Sequence, residues 1–327
     1  MHSFASNCCV SDLPMQIEPL LMSEDTEICL HDDRFEFEET EANLLGTGSF
    51  GWVYRGYDYE TDCPVAVKKM PSRKVNQHEL TVLQQLTSPY VVRLLAICAK
   101  EAAEFSYLVY ELCDCDLENF MTQRDNRPLP LPCIDLVMDN IARGYMALFE
   151  IKLIHLDLKP ENILLKLSAT GDIVKAKLAD FSCSRFAKSD SPLSKLTGTP
   201  LYMAPEVGAN VLEESQYDHQ VDMWSIGVVI YRCLMGDVPF DEQGLCKLFL
   251  YAATENYSAY EKPKLSDGIP ESYQNLIWSL LEIQPDKRRT PDQFFKAVVQ
   301  HVRRMSLVHT ISQESCDSAS PTPSEPR

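Results

Sequence analysis

Residues Leu153–Leu165 read LIHLDLKPENILL. Within them Asp157, Lys159 and Asn162 crowd into six positions between two apolar flanks. Polar groups drawn toward a core need partners, so this run is either a hydrogen-bonded structural loop or a set of groups gathered for chemistry. Leu156, an apolar residue between His155 and Asp157, is the anomaly in the run.

The pattern on either side sets the architecture. Toward the N-terminus, Ile134, Val137, Met138, Ile141, Tyr145 and Leu148 recur at helical spacing and predict one buried helix face. Toward the C-terminus, VDMWSIGVVIYRCLM is apolar nearly all round, the mark of a helix buried on every side. The first part of the chain differs. From Ala42 to Lys69 the runs NLL, WVYRGY and VAVKK alternate with Gly or with the turn Thr61-Asp62-Cys63-Pro64, which predicts a small antiparallel sheet. Leu80, Leu83 and Leu86 predict one helix ended by Ser88-Pro89, and YVVRLLAIC and FSYLVYEL predict two more strands. The fold class is therefore α+β, with a strand-rich lobe followed by a helix-rich lobe. Residues 1–38 read as an acidic, disordered leader and 305–327 as a flexible Ser/Pro-rich tail, leaving 39–304 as the folded unit.

At 327 residues, 45% hydrophobic and 24% charged, the chain can bury a sizeable two-lobed core, which excludes global disorder and a membrane bundle. The net charge of -18 is concentrated at one end: Asp12, Glu18, Glu24, Asp25, Glu27, Asp32, Asp33, Glu36, Glu38, Glu39 and Glu41 face only Arg34. Clustered Lys and Arg are absent, so nucleic acid is not an expected partner. The twelve cysteines include no paired C-x-x-C elements, and their scatter reads as reduced thiols of a cytoplasmic protein. MHSFASNCCV carries no signal-peptide pattern, and the longest apolar run, Ile226 to Met235, is too short for a transmembrane segment.

LGTGSFGWV places Gly46, Gly48 and Gly51 in a G-x-G-x-x-G array. The third Gly leads into a strand rather than a helix, which favours a hairpin whose backbone lies over phosphates above a dinucleotide turn; a plain Gly-rich turn is the bland alternative. Lys68 ends the strand Val65-Ala66-Val67, where an ammonium reaches phosphate oxygens under the hairpin or is merely solvated.

In order along the chain, the glycine hairpin, V-A-V-K, H-L-D-L-K-P-E-N, D-F-S, A-P-E and D-M-W-S-I-G resemble the protein-kinase motif set over about residues 40 to 304. That resemblance implies a bilobal fold, split near residues 112 and 113, that uses ATP and Mg²⁺. It assigns Asp157 to the substrate hydroxyl and its proton, Lys159 to charge on the transferring group, and Asn162 and Asp180 to Mg²⁺. It lays Gly46, Thr47, Gly48, Ser49, Phe50 and Gly51 over the phosphates and pairs Lys68 with Glu79, although Asn76-x-x-Glu79 also reads as a helix cap. Leu45, Val53 and Ala66 would roof the adenine, with Leu164 as its floor. The backbone of Glu111 and Cys113 would hydrogen-bond it, Tyr110 would close the pocket behind it, and Asp116 would meet the ribose.

Departures from the pattern carry information. Leu156 stands where most kinases have the Arg that receives an activation-loop phosphate, and Lys195 stands where many carry the phosphorylated Thr. Both halves of that switch are missing together, which implies activity without loop phosphorylation. Ser182 replaces the Gly of D-F-G, so a pseudokinase or weakly active scaffold is the alternative. Lys159 with Thr199-Pro200 resembles serine/threonine kinases, implying Ser/Thr hydroxyls of proteins as acceptors; Asp222 and the pair Glu206 and Arg288 read as structural. YMAPEV, YDHQVDMWSIGVVIYRCLMGDVPF and QFFKAV more loosely resemble the autophagy-initiating kinases. Asp116 and Glu161 read either as recognising a substrate Arg or simply as ribose contact and surface charge. Arg303-Arg304-Met305-Ser306-Leu307, Ser320-Pro321 and Thr322-Pro323 are candidate phosphorylation sites, and the tails are candidate contacts for regulatory partners.

Overall fold

A computed structural model describes residues 27–30, 34–48, 51–75, 80–82, 86–98, 103–187, 199–209 and 217–317, the side chains of 27–30 and 306–317 excepted. Strands β1 (Glu27–Leu30), β2 (Phe35–Glu38), β3 (Leu44–Gly48), β4 (Gly51–Asp58), β5 (Cys63–Pro71), β6 (Leu94–Cys98) and β7 (Phe105–Glu111) build one antiparallel sheet. Its order is β1-β2-β4-β5-β7-β6, with β3 also paired to β4. Residues Leu80 to Val82 are helical, and Leu80 packs with Met70 and Leu108 under the sheet.

The leader drawn through residue 38 gives way to sheet. Phe35 and Phe37 are 0% and 2% exposed and pair with Asp58 and Gly56 of β4. The alternation in FEFE is the reason: its two aromatic rings fall on one face of a strand while the acids take the other. An acidic count averaged over the whole leader conceals that period of two. The C-terminal boundary shifts as well, because one helix, Pro291–Asp317, runs through residue 304.

Alternation also aims Lys68. Val65 and Val67 are buried on the outer face of the sheet with Phe35, Phe37, Tyr54 and Val109. Ala66 and Lys68 therefore project to the opposite face, toward the helical lobe.

That second lobe packs around the helix Gln220–Met235, whose residues Val221 to Tyr231 are all buried. The helix Leu131–Glu150 meets it with the predicted face, Ile134, Val137, Met138, Ile141, Tyr145 and Leu148, each at most 2% exposed. A small sheet, β11 (Ile173–Leu178), β10 (Ile163–Leu167) and β8 (Cys115–Asp116), lies where the lobes meet. There Val92 N–H donates to Leu178 O at 2.9 Å and Leu178 N–H to Tyr90 O at 2.9 Å.

Candidate active site

Apolar residues of the Leu153–Leu165 stretch hold its polar ones in place. Leu153, Ile154, Leu158, Ile163 and Leu165 are at most 3% exposed. Leu153–Ile154 forms a short strand, β9, against Arg185–Phe186 (β12), and Ile163 enters β10. Between these anchors the backbone is pinned from below by Asp222 of the buried helix, which accepts from His155 N–H at 2.6 Å and Leu156 N–H at 2.8 Å. Leu156 sits at φ +67°, a region that disfavours branched side chains, and this pair of bonds holds it there.

The loop then delivers its charged groups to one point. Asp157 Oδ1 accepts from the backbone N–H of Thr199 at 2.9 Å and from its hydroxyl at 3.0 Å. Lys159 Nζ lies 3.1 Å from Asp157 Oδ2 and donates to Thr199 Oγ1 at 2.7 Å. Asn162 Nδ2 donates to Asp157 O at 2.8 Å and to Asp157 Oδ2 at 3.1 Å. With its amide nitrogen so committed, Asn162 presents Oδ1 away from Asp157.

Asp180 arrives from the other side. Asn162 O accepts from Ala179 N–H at 3.0 Å, and a His155–Ala179 O hydrogen bond of 3.0 Å fixes the following peptide, which leads into Asp180. Phe181, fully buried, packs on His155 with ring centroids 5.1 Å apart. Lys68 Nζ stands 3.9 Å from Asp180 Oδ1, and Ser182 N–H donates to that oxygen at 3.3 Å. Burial pushes the Asp180 carboxyl up, but the Lys68 ammonium and the hydrogen bonds from Ser182 outweigh it and hold the group below its ordinary value. The site thus favours the ionised carboxylate.

The hairpin of β3 and β4 forms the roof, with Gly48 opposite Gly51 and Thr47 opposite Trp52. A Cβ on Gly46 or Gly48 would meet nothing within 4 Å, so the backbone there borders open space. Val53 pairs with Lys68, and Ala66 lies between Arg55 and Tyr110 across the sheet. Leu45 is 49% exposed at the lip. On the connection between lobes, the Glu111 carboxylate is engaged by Lys177 Nζ at 2.7 Å and Arg93 N–H at 2.8 Å. Asp116 caps the helix Leu117–Thr122 by accepting from Asn119 N–H at 2.8 Å, and it pairs with Leu164 in the small sheet. Cys113 lies between Glu111 and Asp116, its thiol pushed up to about 11 by burial and by the Glu111 charge.

Glu79, Ser49 and Phe50, like Ser194, Lys195 and Thr197, lie outside the described residues. Among the described residues no three His, Cys, Asp or Glu side chains gather into a metal cluster. Mg²⁺ does not require one, since it takes one or two protein oxygens and completes its octahedron from phosphates and water. The free face of Asn162 and the ionised Asp180 fit that demand.

The family model for the protein kinase domain matches residues 40–301. The chain belongs to the protein kinase family. Among similar curated proteins, serine/threonine-protein kinase unc-51 of Caenorhabditis elegans is 34% identical over 279 residues, 79% of this chain and 31% of that protein. Serine/threonine-protein kinase ULK1 of Homo sapiens is 32% identical over 277 residues, 80% of this chain and 25% of that protein. Serine/threonine-protein kinase atg1 of Dictyostelium discoideum is 30% identical, covering 77% of this chain and 37% of that protein. The kinase therefore spans about a third of the length of these relatives, and they are of the group that its C-lobe segments resemble.

As a kinase, the chain shows how its departures are accommodated. Leu156 packs against the apolar core instead of offering a charge. Ser182 adopts no left-handed backbone, whereas Asp180 does, at φ +58°. The Gly of the usual motif is thus not needed for this conformation, and the Ser182 amide supports Asp180 directly. The buried ion pair read from sequence is present: Arg288 donates to Glu206 at 2.6 and 2.9 Å. Sequence reasoning missed the contacts of Thr199 with Asp157 and Lys159; the signal is Thr199-Pro200 itself, which in the sequence marks only the resemblance to serine/threonine kinases. It also missed Tyr145 as a partner of Asp222, because at helical spacing a Tyr reads simply as core.

Proposed function

We propose that this kinase transfers the γ-phosphoryl group of ATP to Ser or Thr hydroxyls of protein substrates. The observation that carries the reading is the convergence of Asp157, Lys159 and Asn162 on one another while Asp180, paired with Lys68, follows Ala179, whose N–H and carbonyl are hydrogen-bonded to Asn162 and His155 of the same loop. Phosphoryl transfer asks for aligned oxygens and neutralised charge more than for covalent work. In this reading Asp157 orients the incoming hydroxyl and takes its proton, with Thr199 fixing the carboxylate. Lys159 counters charge on the transferring group, and Lys68 holds phosphate oxygens from above, supported by Glu79. The hairpin from Gly46 to Gly51 covers the phosphates, the backbone of Glu111 and Cys113 reads the adenine between Leu45, Val53, Ala66 and Leu164, and Asp116 faces the ribose. Asn162 and Asp180 would hold Mg²⁺, which when bound neutralises the phosphate charge.

Leu156 supports a finer proposal: activity does not depend on a phosphate in the activation loop, because an apolar side chain has no charge-assisted hydrogen bond to give one. Phosphatase treatment, or alanine at Ser194 and Thr197 together, is expected to leave kcat within about twofold; loss of activity in both would overturn this part. Free thiols at the described cysteines support a cytoplasmic setting, and among the described residues no helix is long and apolar enough to cross a membrane.

The deciding experiment is transfer of labelled phosphate from ATP with Mg²⁺ to a mixed protein substrate. Asp157→Ala is expected to lower kcat by about 10²- to 10⁴-fold, the usual contribution of a positioned acid-base group. Wild-type protein that binds ATP yet transfers nothing would overturn this reading in favour of the scaffold alternative.

A further inference from the structure

Asp222 is fully buried, and its charge is met by neutral donors. Oδ1 takes the Leu156 N–H at 2.8 Å; Oδ2 takes the His155 N–H at 2.6 Å and the Tyr145 hydroxyl at 2.7 Å. No Lys or Arg among the described residues forms an ion pair with it. A buried carboxylate without a cation depends on a full set of donors, and losing one leaves the remaining geometry underdetermined.

Tyr145 is itself held. Its hydroxyl lies 3.1 Å from His219 Nδ1. Since the phenolic proton goes to the carboxylate, the phenolic oxygen accepts from His219, which is the neutral tautomer carrying a proton on Nδ1. His219 is 4% exposed and stands edge-on to Phe149, with ring centroids 4.9 Å apart. It immediately precedes the helix that carries Asp222, whereas Tyr145 and Phe149 belong to the helix Leu131–Glu150. The relay His219 to Tyr145 to Asp222 therefore ties two helices together directly beneath the peptides of His155 and Leu156. Leu156 has no polar side chain with which to anchor its own strained backbone, and the next residue is Asp157.

We propose that Tyr145, oriented by His219, is a positioning residue for phosphoryl transfer: its hydroxyl fixes the Asp222 carboxylate, which fixes the two peptides that aim Asp157. The proposal rests on the reading of Asp157 given above. Tyr145 touches neither substrate nor nucleotide, so its loss should slow turnover without weakening nucleotide binding.

The test uses the full chain with Tyr145→Phe, which removes one oxygen and keeps the ring. We expect kcat to fall about tenfold, the equivalent of one hydrogen bond to a charged group, with KM for ATP unchanged within about twofold. Hydrogen exchange at the His155 and Leu156 amides should speed up by about the same factor. Unchanged kcat with both amides still protected would overturn the proposal, as would a loss confined to melting temperature. If Tyr145→Phe does not fold, His219→Phe, which keeps the ring contacts, and His219→Asn, which restores a donor near Nδ1, take its place. Only the first should lower kcat and protection; equal behaviour of the two overturns the relay. If the wild-type protein transfers no phosphate, the activity reading fails separately, and amide exchange alone decides whether Tyr145 positions the loop.

Discussion

Gly51 and Gly48 belong to one motif yet answer to different constraints. Gly51 has φ +147°, and a Cβ there would come within 2.0 Å of the Lys69 carbonyl oxygen, whereas at Gly48 it meets open space. Gly51→Ala should therefore destabilise the fold by about 2 kcal/mol or more, read as a lowered melting temperature. Gly48→Ala should change stability by less than about 0.5 kcal/mol but raise KM for ATP, because the methyl occupies space the phosphates need. A motif of three glycines thus contains one position that the fold itself requires and two, Gly46 and Gly48, whose surroundings are open, and the spacing alone does not separate them. Lys68 is similar: the sequence left it as phosphate ligand or solvated strand end, and only the folded chain shows its ion pair with Asp180.

Elements are fastened by a few buried ion pairs. Arg288, with a side chain 0% exposed, donates to Glu206, to Gln220 O at 2.7 Å and to Glu282 O at 2.8 Å, and lies over the Trp224 ring. Arg288→Ala strands the Glu206 carboxylate and should cost about 3–5 kcal/mol in chemical denaturation. Strand β2, which lies between β1 and β4, is tied to β4 by Arg34, which donates to both oxygens of Asp58 at 2.9 Å. The Arg34 hydrogen bonds hold the Asp58 carboxyl well below the usual range against the upward pull of burial, helped by the Thr61 hydroxyl and the Glu60 N–H. A carboxyl depressed in the folded state gives stability that is present in full above its unfolded pKa of about 3.9 and is lost as pH falls through the folded value. Denaturation curves between about pH 5 and pH 2 should therefore fall less steeply for Asp58→Asn than for wild type. The sequence showed the Glu206–Arg288 pair because both ends lie in recognisable motifs. Arg34–Asp58 was not legible, since Arg34 looked like a lone cation in an acidic leader.

Over the whole molecule, the proposed nucleotide site draws on both lobes, so ligand binding should stabilise the chain as a unit. At ATP and Mg²⁺ concentrations about 100-fold above Kd the gain is about 2.7 kcal/mol, measurable as a rise in melting temperature. Chelating the metal should remove most of that rise, and Asp180→Asn should make it insensitive to the metal; an equal shift with and without Mg²⁺ would argue against Asn162 and Asp180 as its holders. By itself the sequence determined the lobe order, the buried helix Gln220–Met235, the packed face of Leu131–Glu150 and the identity of the polar trio in LIHLDLKPENILL, because periodicity and local motifs are properties of neighbouring residues. Tertiary structure alone decided that FEFE joins the sheet, that Thr199 braces Asp157 and Lys159, and that Tyr145 and His219 stand behind Asp222. Those contacts join residues tens of positions apart, and hydrogen bonds between such residues form only where packing has already excluded water and brought the elements together.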